Sequence, residues 1–380
     1  MSYSIQQVFK KFKDSYLKNN KLNYEQSSVF NNILNCRTET LGTRIYKCED
    51  CGKTVFTYNS CRNRHCPNCQ DYKKEVWIQD HKEDILNISY FHVVVTVPAE
   101  LHIVFYHNQR KMYNLLFKAS SETMIELCED KKYLGVKVGI TSMLHTWSQK
   151  GNYHPHIHMI VTGGGLDKLG KFKKSKKNFL IPVKVLSKKF RGKLLSMIKE
   201  EELEFYNEYE YLKDKNNLKT YLSPLYKKDW VCYSKPPFNN VGETYKYLGR
   251  YAYRVCMSNE RIVKISDSHV WFTYKDRFDR NIKKITKVKG EEFIRRFLMH
   301  SLPKSFMKIR YYGILSGKGR KEKINKLKRL TNTLNQKEEK LSKLELLNKI
   351  LGKDITKCIN CNGEMHLIRQ ILPPKLRTEV

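Results

Sequence analysis

The run His154-Pro155-His156-Ile157-His158, followed by Met159, Ile160 and Val161, is the part of this 380-residue chain best suited to chemistry. On an extended strand side chains alternate faces, so His156 and His158 project together while Ile157, Met159 and Val161 project from the other side. The apolar face would anchor the strand in a core. The two imidazoles would form a bidentate clamp for a divalent metal. A metal with so few protein ligands keeps open positions for water and a phosphate oxygen, where it acts as a Lewis acid. His154 shares the face, but Pro155 interrupts the ladder beside it. A third ligand is sought on the preceding strand: a turn centred on residues 150 and 151 puts His145 opposite His156, with Cβ atoms about 5 Å apart. A one-residue slip would turn His145 away. The plainer alternative is a set of histidines lining an ordinary polar face.

A second candidate is YKYLGRYAYR, residues 245–254. On a helix, Tyr247 and Tyr251 lie four apart on one face, and Arg250 and Arg254 share the neighbouring stripe. A phenol with its usual pKa of about 10 is a weak nucleophile. Beside a divalent metal and guanidinium groups its phenolate becomes accessible, and a phosphotyrosine intermediate becomes reasonable. The arginines can balance charge on a scissile phosphate. In a chain with 24 tyrosines such a pair is by itself ordinary packing. Its company with the histidine strand strengthens the nucleophilic reading.

Cys48-x2-Cys51 and Cys66-x2-Cys69 have the spacing of a structural zinc site, in which two facing knuckles form a four-sulfur cage. Such a segment draws its folding energy from the metal. Six core thiols are the alternative. Cys36, Cys61 and His65 are left over, either as packing residues or as part of a second site, and one zinc ion is the expectation. Arg44, Arg62 and Arg64 among the knuckles suggest a grip on DNA. Near the carboxy terminus, Cys358-x2-Cys361 with Gly363 and His366 resembles half a knuckle; a free-thiol turn is an equal reading.

These groups need elements to hold them. Residues 3–34 have helical periodicity, as do 71–88 and 101–130, the last as one or two helices. FHVVVTVP (91–98) reads as a buried strand, and residues 134–147 and 154–162 as two strands around the SQKGNY turn, with Gly163–Gly165 ending the second. Residues 168–193 carry eleven Lys/Arg and no acid. They form either a solvated loop or a phosphate-tracking surface containing Lys173 and Lys174. Residues 193–212 read as a helix with an acidic centre, 270–276 as a strand and 291–303 as a helix. Residues 318–343 suit a basic helix for DNA backbone or a helical partner. Composition agrees: the net charge of +34, with 40% hydrophobic and 12% aromatic residues, describes a folding chain with a polyanionic partner. No apolar run approaches bilayer length and no signal-peptide core is present, so a cytoplasmic location is expected.

The order of these motifs resembles the HUH endonuclease class and, more closely, the rolling-circle transposases of the insertion sequence 91 family. The resemblance covers residues from about 25 to 315: YNSCRNRHCPNCQ, FHVVVTVPAEL, LHTW with HPHIH, KYLGRYAYRVCMSNERI, FTYKD and EEFIRRFLMHSLPKSFMKIRYYG. It implies an α+β fold. This would comprise an amino-terminal zinc-binding, DNA-contacting domain (1–80), an HUH domain with a mainly antiparallel sheet flanked by helices (85–315), and a basic helical tail (316–380). It also implies that His156 and His158 bind Mg²⁺ or Mn²⁺, that Tyr247 and Tyr251 are the nucleophiles, and that Cys48, Cys51, Cys66 and Cys69 belong to the zinc region. Members nick one DNA strand, attach its 5′ end to tyrosine and leave a free 3′-OH. The implied partners are single-stranded or hairpin DNA at element ends and target DNA in the bacterial nucleoid, with bases stacking on aromatics such as Trp230 or Tyr233. A plasmid replication initiator or relaxase would use the same nicking step, and a non-catalytic zinc-dependent DNA-binding protein would leave the histidine strand unexplained.

Overall fold

The computed structural model describes residues 3–176, 180–238, 247–249, 251–276, 279–333 and 340–373. The chain opens with two helices, α1 (Ile5–Asn19) and α2 (Tyr24–Asn35), where periodicity suggested one run. Each starts on a capping box, Ser4 with Gln7 and Asn23 with Gln26, so the polar stretch between them is a true break. Their apolar stripes, including Val8, Phe9, Phe12 and Phe30, bury against Phe272, Phe293 and Phe297 from far along the chain. The hairpin β1 (Thr43–Cys48) and β2 (Thr54–Tyr58) follows, then α3 (Gln70–Lys82).

The central unit is built from β3 (Tyr90–Thr96), α4 (His102–His107), α5 (Gln109–Glu129), β4 (Lys137–Trp147), β5 (Tyr153–Leu166), β6 (Phe172–Lys174), α6 (Val183–Glu200), α7 (Lys215–Leu222) and β7 (Cys232–Phe238). Next come β8 (Ile262–Ile265), β9 (His269–Asp276), β10 (Ile282–Lys289), α8 (Gly290–Leu298) and β11 (Ile309–Gly313). The tail holds α9 (Arg320–Leu330), α10 (Lys343–Leu351) and β12 (Met365–Ile371). The main sheet runs β11-β4-β5-β3-β7 with β6 beside β5, and every pairing is antiparallel. This is the α+β class that the sequence suggests.

One face of that sheet is the main core. Phe91, Val93 and Val95 of β3 and Ile157, Met159 and Val161 of β5 pack with Leu116 and Phe117 of α5 and Phe190 and Leu194 of α6. The other face carries the histidines. Gly163–Gly165 do not end β5 but continue it. A Cβ on Gly165 would lie 2.0 Å from the Lys137 carbonyl oxygen, and one on Gly163 would lie 2.3 Å from Ser89 Oγ, so only glycine permits this close strand approach.

The basic run 168–193 is not one surface loop. Its second half is α6, whose Phe190 and Leu194 are buried, and Lys193 and Lys189 bond the carboxylates of α5. Lys173 and Lys174 sit exposed on β6. The helix expected over 193–212 ends instead at Glu200. Beyond it, the Asn108 amide accepts from Glu204 N–H and donates to Glu204 O, both at 2.7 Å, holding that segment by a side chain instead of helical bonds. Trp230 is not an open stacking surface: it is buried against Phe190 and donates to Leu225 O.

The tail does not stand alone. Leu327 of α9 is buried beside Trp77 and Leu86, α10 lies along α3, and β12 pairs with β1 to complete the sheet β12-β1-β2. Phe9 is fully buried between Phe30 and Phe297, each at 5.4 Å between ring centroids. Phe9→Ala is expected to lower the unfolding free energy of this unit by about 3–5 kcal/mol in a urea titration.

Candidate active site and cysteine clusters

β4 pairs with β5 in the register that sets His145 opposite His156. His145, His156 and His158 are all buried, and their nearest ring nitrogens lie within 4.8 Å of one another. His156 Nε2 and His158 Nε2 are 3.1 Å apart. His156 Nδ1 lies 2.7 Å from His154 O, which fixes Nδ1 as the N–H and leaves Nε2 as the lone pair. His145 Nε2 lies 2.9 Å from Tyr251 O, so its Nδ1 keeps the lone pair. His145 and His158 are held well below the usual imidazole range, first by burial; His156, Lys308 and Arg254 lower His145 further, and His145, His156, His92 and Arg254 lower His158 further. At neutral pH both are neutral, the form that ligates a metal.

β3 adds a residue that sequence reading passed over. His92 sits on the same face as the triad, because Phe91, Val93 and Val95 take the core side. Its Nε2 lies 2.8 Å from His158 Nδ1 and its Nδ1 lies 2.6 Å from Tyr247 Oη. Burial, with Lys235 adding to it, pulls its pKa to about 3. The signal was present as one polar residue out of phase in an apolar strand, but only pairing with β5 gives it meaning.

The tyrosines come from a short helix in which 247–249 and 251–252 are described. Tyr247 and Tyr251 pack 4.6 Å apart, and both face His92, at 5.1 and 5.2 Å between centroids. Tyr251 also stacks on His145 and leans on His158. The back of this helix rests on α3: a Cβ on Gly249 would lie 2.5 Å from Ile78 Cδ1, and Trp77 packs near Tyr253. Arg250 lies outside the described residues. Arg254 and Lys308 bear on His145, and Arg64 and Lys73 bear on Lys308, whose pKa is lowered to about 8 by burial and these cations. Arg64 also donates to Phe306 O, tying the cysteine region to this centre. Arg62 is exposed, with its carbonyl bonded by Lys73 at 2.5 Å.

The eight clustered cysteines form two groups, and not the pairing that spacing suggested. Cys66 and Cys69 join Cys36 and Cys61, while Cys48 and Cys51 join Cys358 and Cys361. The hairpin explains why. Cys36 and Cys61 flank its open end, whereas Cys48 and Cys51 form its turn, and five paired residues separate the two ends by roughly 17 Å. His65 belongs to neither group: it is turned inward, where its Nε2 accepts from Leu302 N–H at 3.3 Å and burial keeps it neutral. In the first group Cys36 and Cys61 each lie 3.6 Å from Cys69. Tetrahedral zinc with bonds of about 2.3 Å spaces its sulfurs by about 3.8 Å, so the donor set fits. Cys61 donation pulls Cys36 to about 7, and Cys61 and Cys66 are pushed up, chiefly by Cys36. Four thiolates this close ionise together only around a cation.

Residues 8–97 match the family described as transposase zinc-binding domain, and residues 139–323 match one described as putative transposase. The chain is 38% identical over 326 residues to a putative transposase, y4qJ, of Sinorhizobium fredii, covering 84% of this chain and 82% of that one. This chain belongs to the insertion sequence 91 family of transposases. It is also 26% identical over 293 residues to the transposase for insertion sequence element IS801 of Pseudomonas savastanoi pv. phaseolicola, covering 75% of this chain and 69% of that one. No solved structure matches it. The family selects a transposase over a plasmid replication initiator, and it accounts for the zinc-binding domain. No described helix of this transposase is long and apolar enough to cross a membrane.

With its cysteine sites filled by zinc, this transposase is expected to bind one further Mn²⁺ per chain in calorimetry. His158→Ala is expected to abolish that binding while leaving the zinc content unchanged.

Proposed function

We propose that this transposase nicks single-stranded DNA through a 5′-phosphotyrosine intermediate and rejoins strands, driving rolling-circle transposition. The observation that carries the reading is the continuous contact from Tyr247 Oη through His92 to His158, inside a triad of buried imidazoles. His156 and His158 would hold the divalent ion, with His145 as third ligand, and an imidazole set suits Mn²⁺ better than Mg²⁺, which prefers oxygen donors. When bound, the ion supplies Lewis-acid polarisation of the scissile phosphate.

The chain's own groups do the rest. With the Nε2 atoms of His156 and His158 serving as lone-pair donors, His158 must carry its proton on Nδ1 and donate it to His92 Nε2. His92 then carries its proton on Nδ1 and donates to Tyr247 Oη. That bond orients the phenol oxygen and stabilises negative charge on it. Tyr247 releases its phenol proton to solvent water and attacks phosphorus, the bond to the 3′ oxygen breaks, and that oxygen leaves as the 3′-OH on taking a proton from solvent. Arg254 and Lys308 are placed to balance the phosphate's charge. Because the displaced ester energy stays in the phosphotyrosine, rejoining needs no nucleotide. Tyr251, on the same helical face, is free to serve a second cleavage while Tyr247 is occupied. Of the two, Tyr247 is the first nucleophile, because it alone has its hydroxyl against His92.

The test is covalent trapping of labelled single-stranded DNA from the ends of the element, with Mn²⁺ present. A denaturant-resistant adduct is expected for wild type and Tyr251→Phe. It should be strongly reduced for Tyr247→Phe and absent from the double variant. Tight DNA binding without any adduct in wild type would sink the reading. His92→Phe is expected to slow adduct formation by about 10²–10³-fold with DNA affinity unchanged, in the range seen when one oriented hydrogen bond is removed from a reacting oxygen. His92→Asn, which restores a donor, should recover part of the loss.

A further inference from the structure

We propose that Cys48, Cys51, Cys358 and Cys361 bind a second structural zinc ion that joins the two ends of the chain. Cys358 and Cys361 lie beyond both family matches, which end at residues 97 and 323.

The geometry is that of two facing knuckles. Cys48 Sγ lies 3.5 Å from Cys361 Sγ and Cys51 Sγ lies 3.7 Å from Cys358 Sγ, and all four sulfurs fall within 4.8 Å of one another. These separations suit tetrahedral zinc with bonds of about 2.3 Å. The two turns repeat one another bond for bond. Cys48 N–H donates to Lys53 O at 2.9 Å and Gly52 N–H to Cys48 O at 3.1 Å. Cys358 N–H donates to Gly363 O and Asn362 N–H to Cys358 O, at 2.8 and 2.9 Å. Gly52 and Asn362, each four residues after the first cysteine, are both left-handed, with φ of 68° and 64°. The knuckles are pressed together: a Cβ on Gly363 would meet Asp50 Oδ2 at 2.1 Å.

Thiols alone give this contact little strength, since S–H is a weak donor and sulfur a weak acceptor. Nor do the surface pairs along the tail. Lys349–Glu75 and Lys340–Asp80, at 3.4 and 2.8 Å, link α10 and its approach to α3, but exposed pairs of this kind contribute little. Four thiolates around zinc convert the metal's binding free energy into docking of the tail. The ion therefore clamps β12 onto β1 and α10 against α3, the helix that backs the tyrosines.

The full-length protein, purified with zinc and without chelator, should contain two zinc ions per chain by elemental analysis. The Cys358→Ser/Cys361→Ser variant and Cys48→Ser should each contain one. Combining all three changes should still leave one, because they empty the same site while the Cys36 cluster stays filled. Two zinc ions retained after loss of Cys358 and Cys361 would overturn the proposal. A readout needing no variant is alkylation with iodoacetamide followed by mass mapping. In the zinc-loaded chain Cys51 and Cys361, although exposed, should be protected, and as a chelator is titrated they should become reactive together with Cys48 and Cys358. Free-thiol reactivity of Cys358 and Cys361 with zinc present, or a Cys48–Cys361 disulfide in the native chain, would equally refute it.

Discussion

The histidine cluster of this protein depends on the pairing register of β4 on β5. That register aligns His145 with His156, and it is not set by the histidines. It is set by the opposite face, where Ile157, Met159 and Val161 bury into the core under α5 and α6. A slip of one residue in β4 would turn His145 away from His156 and His158 and take Leu144 out of the core face. Each buried aliphatic chain is worth about 1.5–3 kcal/mol, so the core outweighs any local preference of the polar face. The spacing of the three imidazoles is thus a by-product of hydrophobic packing one layer away. A site set up in this way is preorganised before ion or DNA arrives, which is where much of the catalytic advantage of a fixed polar site lies.

A second dependence runs through α3. The first cysteine cluster ends at Cys69, which is the residue capping α3, and α3 carries Ile78 and Trp77 to the back of the tyrosine helix. Arg64 reaches from the same cluster to the loop before β11. The zinc-binding domain therefore backs the histidine and tyrosine cluster as well as being a candidate DNA grip.

Much of this was legible in the sequence, for reasons tied to particular residues. Period-two alternation gave the histidine face; His145 does face His156, but the turn itself pairs Trp147 with Tyr153, one residue from the expected pairing, and a bulge between His145 and Trp147 makes up the difference. Helical spacing gave the tyrosine pair. What failed was whatever depended on distance along the chain. CxxC spacing identifies knuckles but does not say which knuckles meet, and the partner of Cys48-x2-Cys51 lies some three hundred residues away. Gly163–Gly165 looked like a stop because glycine ends strands more often than it permits close approach within them. His92 drew no reading of its own within an apolar strand, since its two partners, Tyr247 and His158, are remote in sequence. The acidic segment after Glu200 has helical composition, but Asn108 holds Glu204 out of a helix and the chain resumes only as a 3₁₀ helix over Asn207–Lys213.

Gly249 lies on the back of the tyrosine helix and touches Ile78 with no side chain between them. The depth at which both phenols stand over the sheet is gauged there, by the thickness of a single hydrogen atom. A larger residue would lift Tyr247 and Tyr251 together as a rigid pair, keeping their mutual spacing while drawing both away from the imidazoles. The aim of the two phenols and their pairing are thus separable properties of the fold, one written on the face of the helix and the other on its back.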